Sequence, residues 1–289
     1  GTAGIGIGAI SFETATVDSQ GGQVTSDATG ILAFGENVVV DSGAVTSNNG
    51  SGVVGTAFGG DATVRTHDLI QADSGLFGAS AISFGGNATV RVGGDIDPPL
   101  IGANAVTFGP GLAHADILAG VSVEADIIGV NAANFGTGNV LVDIGNNATI
   151  ESGGVGILAT KAFGAGGVTI NVETGARVEG DVSGVVILAG TPGATDNAAV
   201  LNNDGTIQGN GFLSPVIFAL TDGGVTINNT ANGVIRGEET EAGTLIGTTG
   251  DPLGAFEPAI VTAGGGALVN KDGEIHGSVA FLSGEDNAF

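Results

Sequence analysis

Apolar and polar residues alternate along this chain in short runs, and Gly-rich punctuation separates one run from the next. In Ala88-Thr89-Val90-Arg91-Val92 the alternation puts Ala88, Val90 and Val92 on one face and Thr89 and Arg91 on the other, the period-2 pattern of a half-buried strand. A shorter apolar run, Ala81-Ile82-Ser83-Phe84, precedes it, and Gly85-Gly86-Asn87 reads as the corner between them. The order strand, corner, strand recurs: Phe58-Gly59-Gly60-Asp61-Ala62-Thr63-Val64-Arg65 repeats as Phe84-Gly85-Gly86-Asn87-Ala88-Thr89-Val90-Arg91, with one Asp/Asn exchange. A Phe-Gly pair occurs at Phe34, Phe58, Phe84, Phe108, Phe135 and Phe163, with Phe12 one step earlier, at intervals of 22, 24, 26, 24, 27 and 28 residues. A drifting period implies loops of variable length on a constant scaffold. Helical repeats do not fit β-branched runs broken by Gly and Asn.

In the second half the Phe recurrence fades and a Gly-centred signature replaces it. Its members are Asn203-Asp204-Gly205-Thr206-Ile207-Gln208-Gly209, Thr230-Ala231-Asn232-Gly233-Val234-Ile235-Arg236-Gly237 and Lys271-Asp272-Gly273-Glu274-Ile275-His276-Gly277. Thr174-Gly175-Ala176-Arg177-Val178-Glu179-Gly180 and Asn147-Ala148-Thr149-Ile150-Glu151 are earlier versions. The central Ile or Val is expected inward in each, and Asn-Gly and Asp-Gly are expected to supply positive φ at the corners. The aligned glycines Gly175, Gly205, Gly233 and Gly273 are 30, 28 and 40 residues apart. The long last gap predicts an inserted loop at residues 238–258, a place for recognition or a plain excursion.

Units of similar length and identical strand order pair equivalent strands, so the chain should rise by one strand spacing, about 4.8 Å, per turn. The predicted fold is all-β, a single-stranded parallel β-helix (β-solenoid) of about eleven coils. It forms one continuous domain over residues 1–289, roughly 50 Å long, with a stacked Phe ladder. Parallel crossovers favour a right hand. Residues 1–8 and 284–289 show no amphipathic capping helix, so the coil is expected to continue or to be covered by partner molecules.

Composition sharpens this picture. Hydrophobic residues make up 42% of the 289, and Gly supplies 56 positions while Cys, Met, Trp and Tyr supply none. The interior must therefore be built from Val, Ile, Leu, Ala and a few Phe, and neither a disulfide nor a thiolate site exists. Six Lys and Arg against 30 Asp and Glu give a net charge of −24, which argues against nucleic acid or an anionic membrane as partner. No window offers 18 uninterrupted apolar residues, and Gly1 does not open a secretory leader, so direct membrane insertion by this segment is not expected and the chain reads as a mature form or a fragment. A Lys-poor, Gly/Asn/Thr-rich chain points to an extracellular location, at a bacterial surface or secreted.

Candidate chemistry is sparse. The Phe column reads either as a platform for sugar stacking or, preferably, as a buried ladder of rings, in which case Phe84→Ala should cost on the order of 3–5 kcal/mol. Asn37, Asp61 and Asn87, each three residues after a Phe, form a corner column that reads as an amide ladder, with Ca²⁺ ligation as the alternative. The segment Ser283 to Phe289 hints at Ca²⁺ chemistry but occurs once. Arg65 and Arg91 share an outward column whose equal-count equivalents are Asp41, Ala115 and Val142, which gives no catalytic cluster, although Arg65 and Asp41 form a candidate surface pair. His67, His114 and His276 fall in different phases of the repeat. Asp41-Ser42-Gly43 and Asp73-Ser74-Gly75 are turns, and Gly4-Ile5-Gly6-Ile7-Gly8 lacks the helix and Lys of a phosphate loop. Thr63, Thr89 and Thr149 make no unbroken column of the kind an ice- or mineral-binding solenoid requires. No catalytic, cofactor-binding or metal residue is assigned.

The stretch Ala267-Leu268-Val269-Asn270-Lys271-Asp272-Gly273-Glu274-Ile275-His276-Gly277-Ser278-Val279 resembles the rungs of autotransporter passenger domains and related bacterial adhesins. The rung pattern covers roughly residues 140–289, although no membrane-inserting barrel and no protease or lipase head is recognisable. The resemblance implies a right-handed β-helix displayed on a Gram-negative surface. It also implies a non-enzymatic role as stalk, adhesive surface or self-associating filament unit, with host, matrix or further copies of the chain as partners. The alternative is a carbohydrate-active β-helix enzyme or a tail-fibre-like polysaccharide-binding protein, which needs clustered carboxylates and aromatic platforms.

Overall fold

The computed structural model describes residues 4–97, 99–190, 198–210, 214–237, 258–264 and 267–282. All the secondary structure among them is β-strand, and equivalent strands of successive turns pair in parallel. The first sheet stacks eleven strands. They are Ile7–Ile10, Ile31–Gly35, Val53–Ala57, Phe77–Ser83, Ile101–Thr107, Ile128–Asn134, Val155–Lys161, Ser183–Ala189, Ile217–Thr221, Pro258–Gly264 and Ser278–Phe281. The second sheet holds 18 strands in two ladders, for example Ala88–Val92 followed by Ile96–Asp97 within one turn. The chain is thus a parallel β-solenoid.

Among the described residues eight turns contain three separate strands, fewer than the eleven coils that dividing length by period gives. The shortfall lies at the ends. In the first two turns the second and third strands fuse into long runs, Thr14–Ser26 and Asn37–Ser47, while Ser278–Phe281 contributes one strand to a last turn. The loop expected at 238–258 falls on residues 238–257, outside the described residues, and the next strand begins at Pro258.

Inward positions follow the alternation. Ala88, Val90 and Val92 are buried while Arg91 is exposed. Ile150, Val178, Ile207 and Ile235 stand above one another in the core, as the Gly-centred signature predicts. The described core is Val, Ile, Leu and Ala with no buried Phe, contrary to the expectation that a few Phe help to fill it. Residues in equivalent places pack against copies of themselves one turn away, so small β-branched side chains fill the layers uniformly.

The Asp-Gly and Asn-Gly corners work differently from expectation. Gly205, Gly233 and Gly273 are not at positive φ; a Cβ on Gly273 would lie 2.1 Å from the Thr230 carbonyl oxygen, so closeness of stacked backbones excludes a side chain there. Among the described residues positive φ occurs instead at Asn147 and at Gly120, Gly164, Gly166, Gly175, Gly224, Gly264 and Gly277. Arg177 pairs with Thr206, so Gly205 stands over Ala176 and the glycine alignment slips by one residue.

Candidate functional site

The Phe-Gly corner begins with an inward column: Ala57, Ser83, Thr107, Asn134 and Lys161 pair in register and are buried. Period 2 then turns the next residue outward, which is the Phe at 58, 84, 108 and 135. The polar column satisfies the corner backbone. The Ser83 hydroxyl donates to the Gly60 carbonyl at 2.7 Å and accepts from the Gly86 N–H at 2.8 Å. Thr107 donates to the Gly86 carbonyl at 2.7 Å, and the Asn134 amide donates to the Gly111 carbonyl at 2.6 Å. Lys161, 0% exposed, donates from Nζ to the carbonyls of Gly136 at 2.7 Å, Gly164 at 3.3 Å and Phe163. Burial pushes its ammonium below the usual lysine range.

The rings of Phe34, Phe58, Phe84, Phe108 and Phe135 stack with centroids 5.1–6.5 Å apart. The ladder exists but is not buried: Phe84 is 50% exposed and Phe108 46%. Stacked neighbours cover the faces of the interior rings and leave edges to solvent, which weakens the sugar-platform reading. Phe163 is not a rung. Lys161 pairs with Asn134, so Ala162 stands over Phe135 and Phe163 lies one residue too late.

Between the Phe corner and the opposite corner lies the outer face of the first sheet. Its eleven strands contain no Asp, Glu, Arg or His, and their one Lys is the inward Lys161. One outward-directed column runs Leu32, Val54, Ser80, Asn104, Asn131, Leu158, Val186, Phe218 and Val261, in which Ser80 and Asn104 are buried by their neighbours and the rest are partly exposed. Its polar members satisfy one another, with Asn104 Nδ2 donating to Ser80 Oγ at 2.8 Å and Asn131 Nδ2 to Asn104 Oδ1 at 2.7 Å. At the opposite corner Leu76, Leu100, Ile127 and Val182 are exposed. Most exposed large apolar side chains of the described residues therefore fall on this face and its two corners.

The second sheet carries the charge. Asp18, Asp41, Arg65, Arg91, Asp116 and Asp143 follow one another in register. The expected equivalents Ala115 and Val142 are instead buried neighbours. The corners after Phe108 and Phe135 are each one residue longer, with Pro110 and Thr137 in them, so counting from Phe slips by one and every side chain changes face. Arg65 meets Asp41 at 3.4 Å, as expected, and Arg91 meets Asp116 at 3.4 Å. His114 Nε2 lies 2.9 Å from Asp143 Oδ2; this hydrogen bond holds the Asp143 carboxyl below the usual carboxylate range, opposed by burial and helped by the Asn171 amide at 2.7 Å. The column continues as an amide ladder, Asn202 donating to Asn171 and Asn228 to Asn202, each at 2.8 Å. His67 approaches Asp41 at 3.6 Å and His276 approaches Glu274 at 3.0 Å, so the three histidines do not converge.

The Asn37 column forms the amide ladder. Asn37 Oδ1 accepts from the Asp61 N–H at 3.0 Å, Asp61 Oδ1 from the Asn87 N–H at 2.7 Å, and Asn87 Oδ1 from the Leu112 N–H at 2.8 Å. Asn139, displaced by the longer corner, accepts from the Gly167 N–H at 2.9 Å. Thr63 and Thr89 share a column that continues with His114 and Leu141, and Thr149 lies in another with Ser122 and Arg177. Sequence reasoning missed two open depressions. Glu124, Asp126, Glu151, Glu179 and Asp181 line one, where Arg177 bridges Glu151 at 2.9 Å and also Glu179. Asn171, Thr174, Asn202, Asp204 and Thr230 line the other. There the hydroxyls of Thr174 and Thr230 and the Asn232 amide, at 3.1 Å, hold the Asp204 carboxyl below its usual range. Both combine side chains from adjacent coils, a signal visible only once the register is known.

Among the described residues no group of three or more His, Cys, Asp or Glu is placed to hold a metal ion, and no helix is long and apolar enough to cross a membrane. Segment Ser283 to Phe289 lies outside the described residues. Comparison with protein-family models, with curated proteins and with solved structures finds no match.

Proposed function

We propose that this chain is a non-enzymatic extracellular β-solenoid of a bacterial surface, of the autotransporter-passenger or adhesin kind, serving as stalk, adhesive surface or self-associating unit. The observation that carries the reading is that outward chemistry runs in continuous columns along the rod: an uncharged apolar face on one sheet and charge and amide ladders on the other. Long uniform faces suit association with another extended surface. The −24 charge keeps such a rod in solution and away from nucleic acid and anionic lipid.

The test is a bead assay. Latex beads coated with the purified chain, with and without Ca²⁺, are expected to clump or to adhere to immobilised matrix protein more than albumin-coated beads. Indifference to both would sink the reading. A second reading, polysaccharide cleavage, is favoured by the carboxylates of Glu124, Glu151 and Glu179 on adjacent turns. Release of reducing ends from a polysaccharide panel, abolished by Glu151→Gln, would establish it in place of the first.

A further inference from the structure

The first sheet covers its inner face with the core and leaves its outer face uncharged, in a chain of net charge −24. Chance does not readily give eleven consecutive strands with no outward ionisable side chain. Eleven strands at about 4.8 Å, each about 20 Å long, present roughly 1,000 Å². Two such faces together bury roughly 2,000 Å², at the upper end of what a specific stable protein pair uses, about 1,200–2,000 Å². Of the polar side chains on the face, Ser80 and Asn104 are already buried and Asn131 donates to Asn104, so a partner strands few donors in this column, while the hydroxyls of Thr56 and Thr160 lie in the neighbouring one.

The Phe ladder breaks the symmetry of this face along its length. Outward at the corner, Phe84, Phe108 and Phe135 are followed in the next three turns by Ala162, Gly190 and Asp222, whose carboxylate falls at the rim of the face. Rings in register thus run up to Phe135 and stop there, with Phe163, 60% exposed, standing one residue out of step in the next turn. A two-fold axis lying in the face and perpendicular to the rod, through the central strand Ile128–Asn134, keeps each corner on its own side and reverses the rod. It sets Phe108 opposite the partner copy's small corner in one direction and its own small corner opposite the partner's ring in the other, so both mismatches close together. An anionic membrane is disfavoured by the charge, and a charged polymer finds no counter-charge on this face.

We infer that two copies of this chain pair face to face through the outer surface of the first sheet, with their rods antiparallel. The inference rests on the self-association branch of the function proposed above and names its surface. All the ionisable groups of the second sheet then point away from the contact, so pairing works against long-range repulsion alone and strengthens as salt screens it.

The test is sedimentation equilibrium of the full chain, at about 0.02 M and about 0.5 M NaCl. The expected species is twice 27.7 kDa, favoured by salt. Phe84→Glu with Leu220→Glu, both at half-exposed sites, should weaken pairing by on the order of a hundredfold. Thr89→Glu on the second sheet should not, and circular dichroism and thermal melting verify that all variants fold. Because the chain has no Cys, single-Cys variants read the direction. Asn131→Cys, at the axis, should form a disulfide-linked dimer, and Ile82→Cys should form one only when mixed with Leu188→Cys. A monomer under all conditions, pairing indifferent to the charged variant, or self-linking of Ile82→Cys would each overturn the inference. So would a monomer that floats with phosphatidylcholine vesicles, which would make lipid the occupant. Bead clumping that survives the charged variant would leave the proposed function standing while this inference falls.

Discussion

Lys161 occupies the position held by Ser83, Thr107 and Asn134 in earlier turns, and all four side chains bind corner carbonyls. A buried ammonium persists there because three carbonyl oxygens receive it. Lys161→Met should therefore lose about 1–3 kcal/mol in urea unfolding, because stranded carbonyls outweigh the gain in apolar volume; unchanged stability would refute the capping role. Asp143 gives a pH prediction. Its folded-state pKa lies below the ordinary carboxylate value, chiefly because of the His114 hydrogen bond, so the native state binds fewer protons than the unfolded one. Its contribution is present above the unfolded pKa and is lost as pH falls through the folded one. Stability measured from about pH 5 downward should fall less steeply in Asp143→Asn than in the parent. Equal slopes would show that the pair has no energetic role.

At the scale of elements, the corner between the two sheets sets both the outward Phe and the strand register. Phe84→Ala should cost about 1–2 kcal/mol, below the 3–5 of a buried ring, because half of its surface is already wet and the stacking is partial. Gly136→Ala should cost at least about 2 kcal/mol, since the added Cβ would lie 1.9 Å from the Gly109 carbonyl oxygen, backbone that cannot yield without shifting a turn. If thermal unfolding ranks these two variants in the opposite order, the account of the corner is wrong. The Phe recurrence was legible because Phe and Gly stay adjacent from turn to turn. Whether the ring is in or out was not, because apolar neighbours are common to both. The decisive residue is the small polar one before it, Ser83 or Thr107, whose hydroxyl must reach the corner backbone inside.

At the scale of the molecule each turn rests on its neighbours alone, so turns should be removable. Deleting residues 101–127 joins Leu100 to Ile128, the residue paired with Ile101, and brings Phe84 beneath Phe135. The shortened rod should keep its β-sheet circular dichroism and melt cooperatively at slightly lower temperature; loss of the cooperative transition would contradict independent stacking.

The class of the fold, the order of strand and corner, the inward column of Ile150, Val178, Ile207 and Ile235, and the amide ladder that begins at Asn37 are all written in the residues of each turn. They are legible there because side-chain direction in a strand has period 2 and each turn restates it. Which residues share a column across corners of unequal length depends on how the turns stack. One added residue, Pro110 or Thr137, moves every following position to the other face. The charge column through Asp116 and Asp143, the half-exposed Phe ladder and the uncharged face of the first sheet are properties of that register. They belong to the stacking of turns, which no single turn encodes.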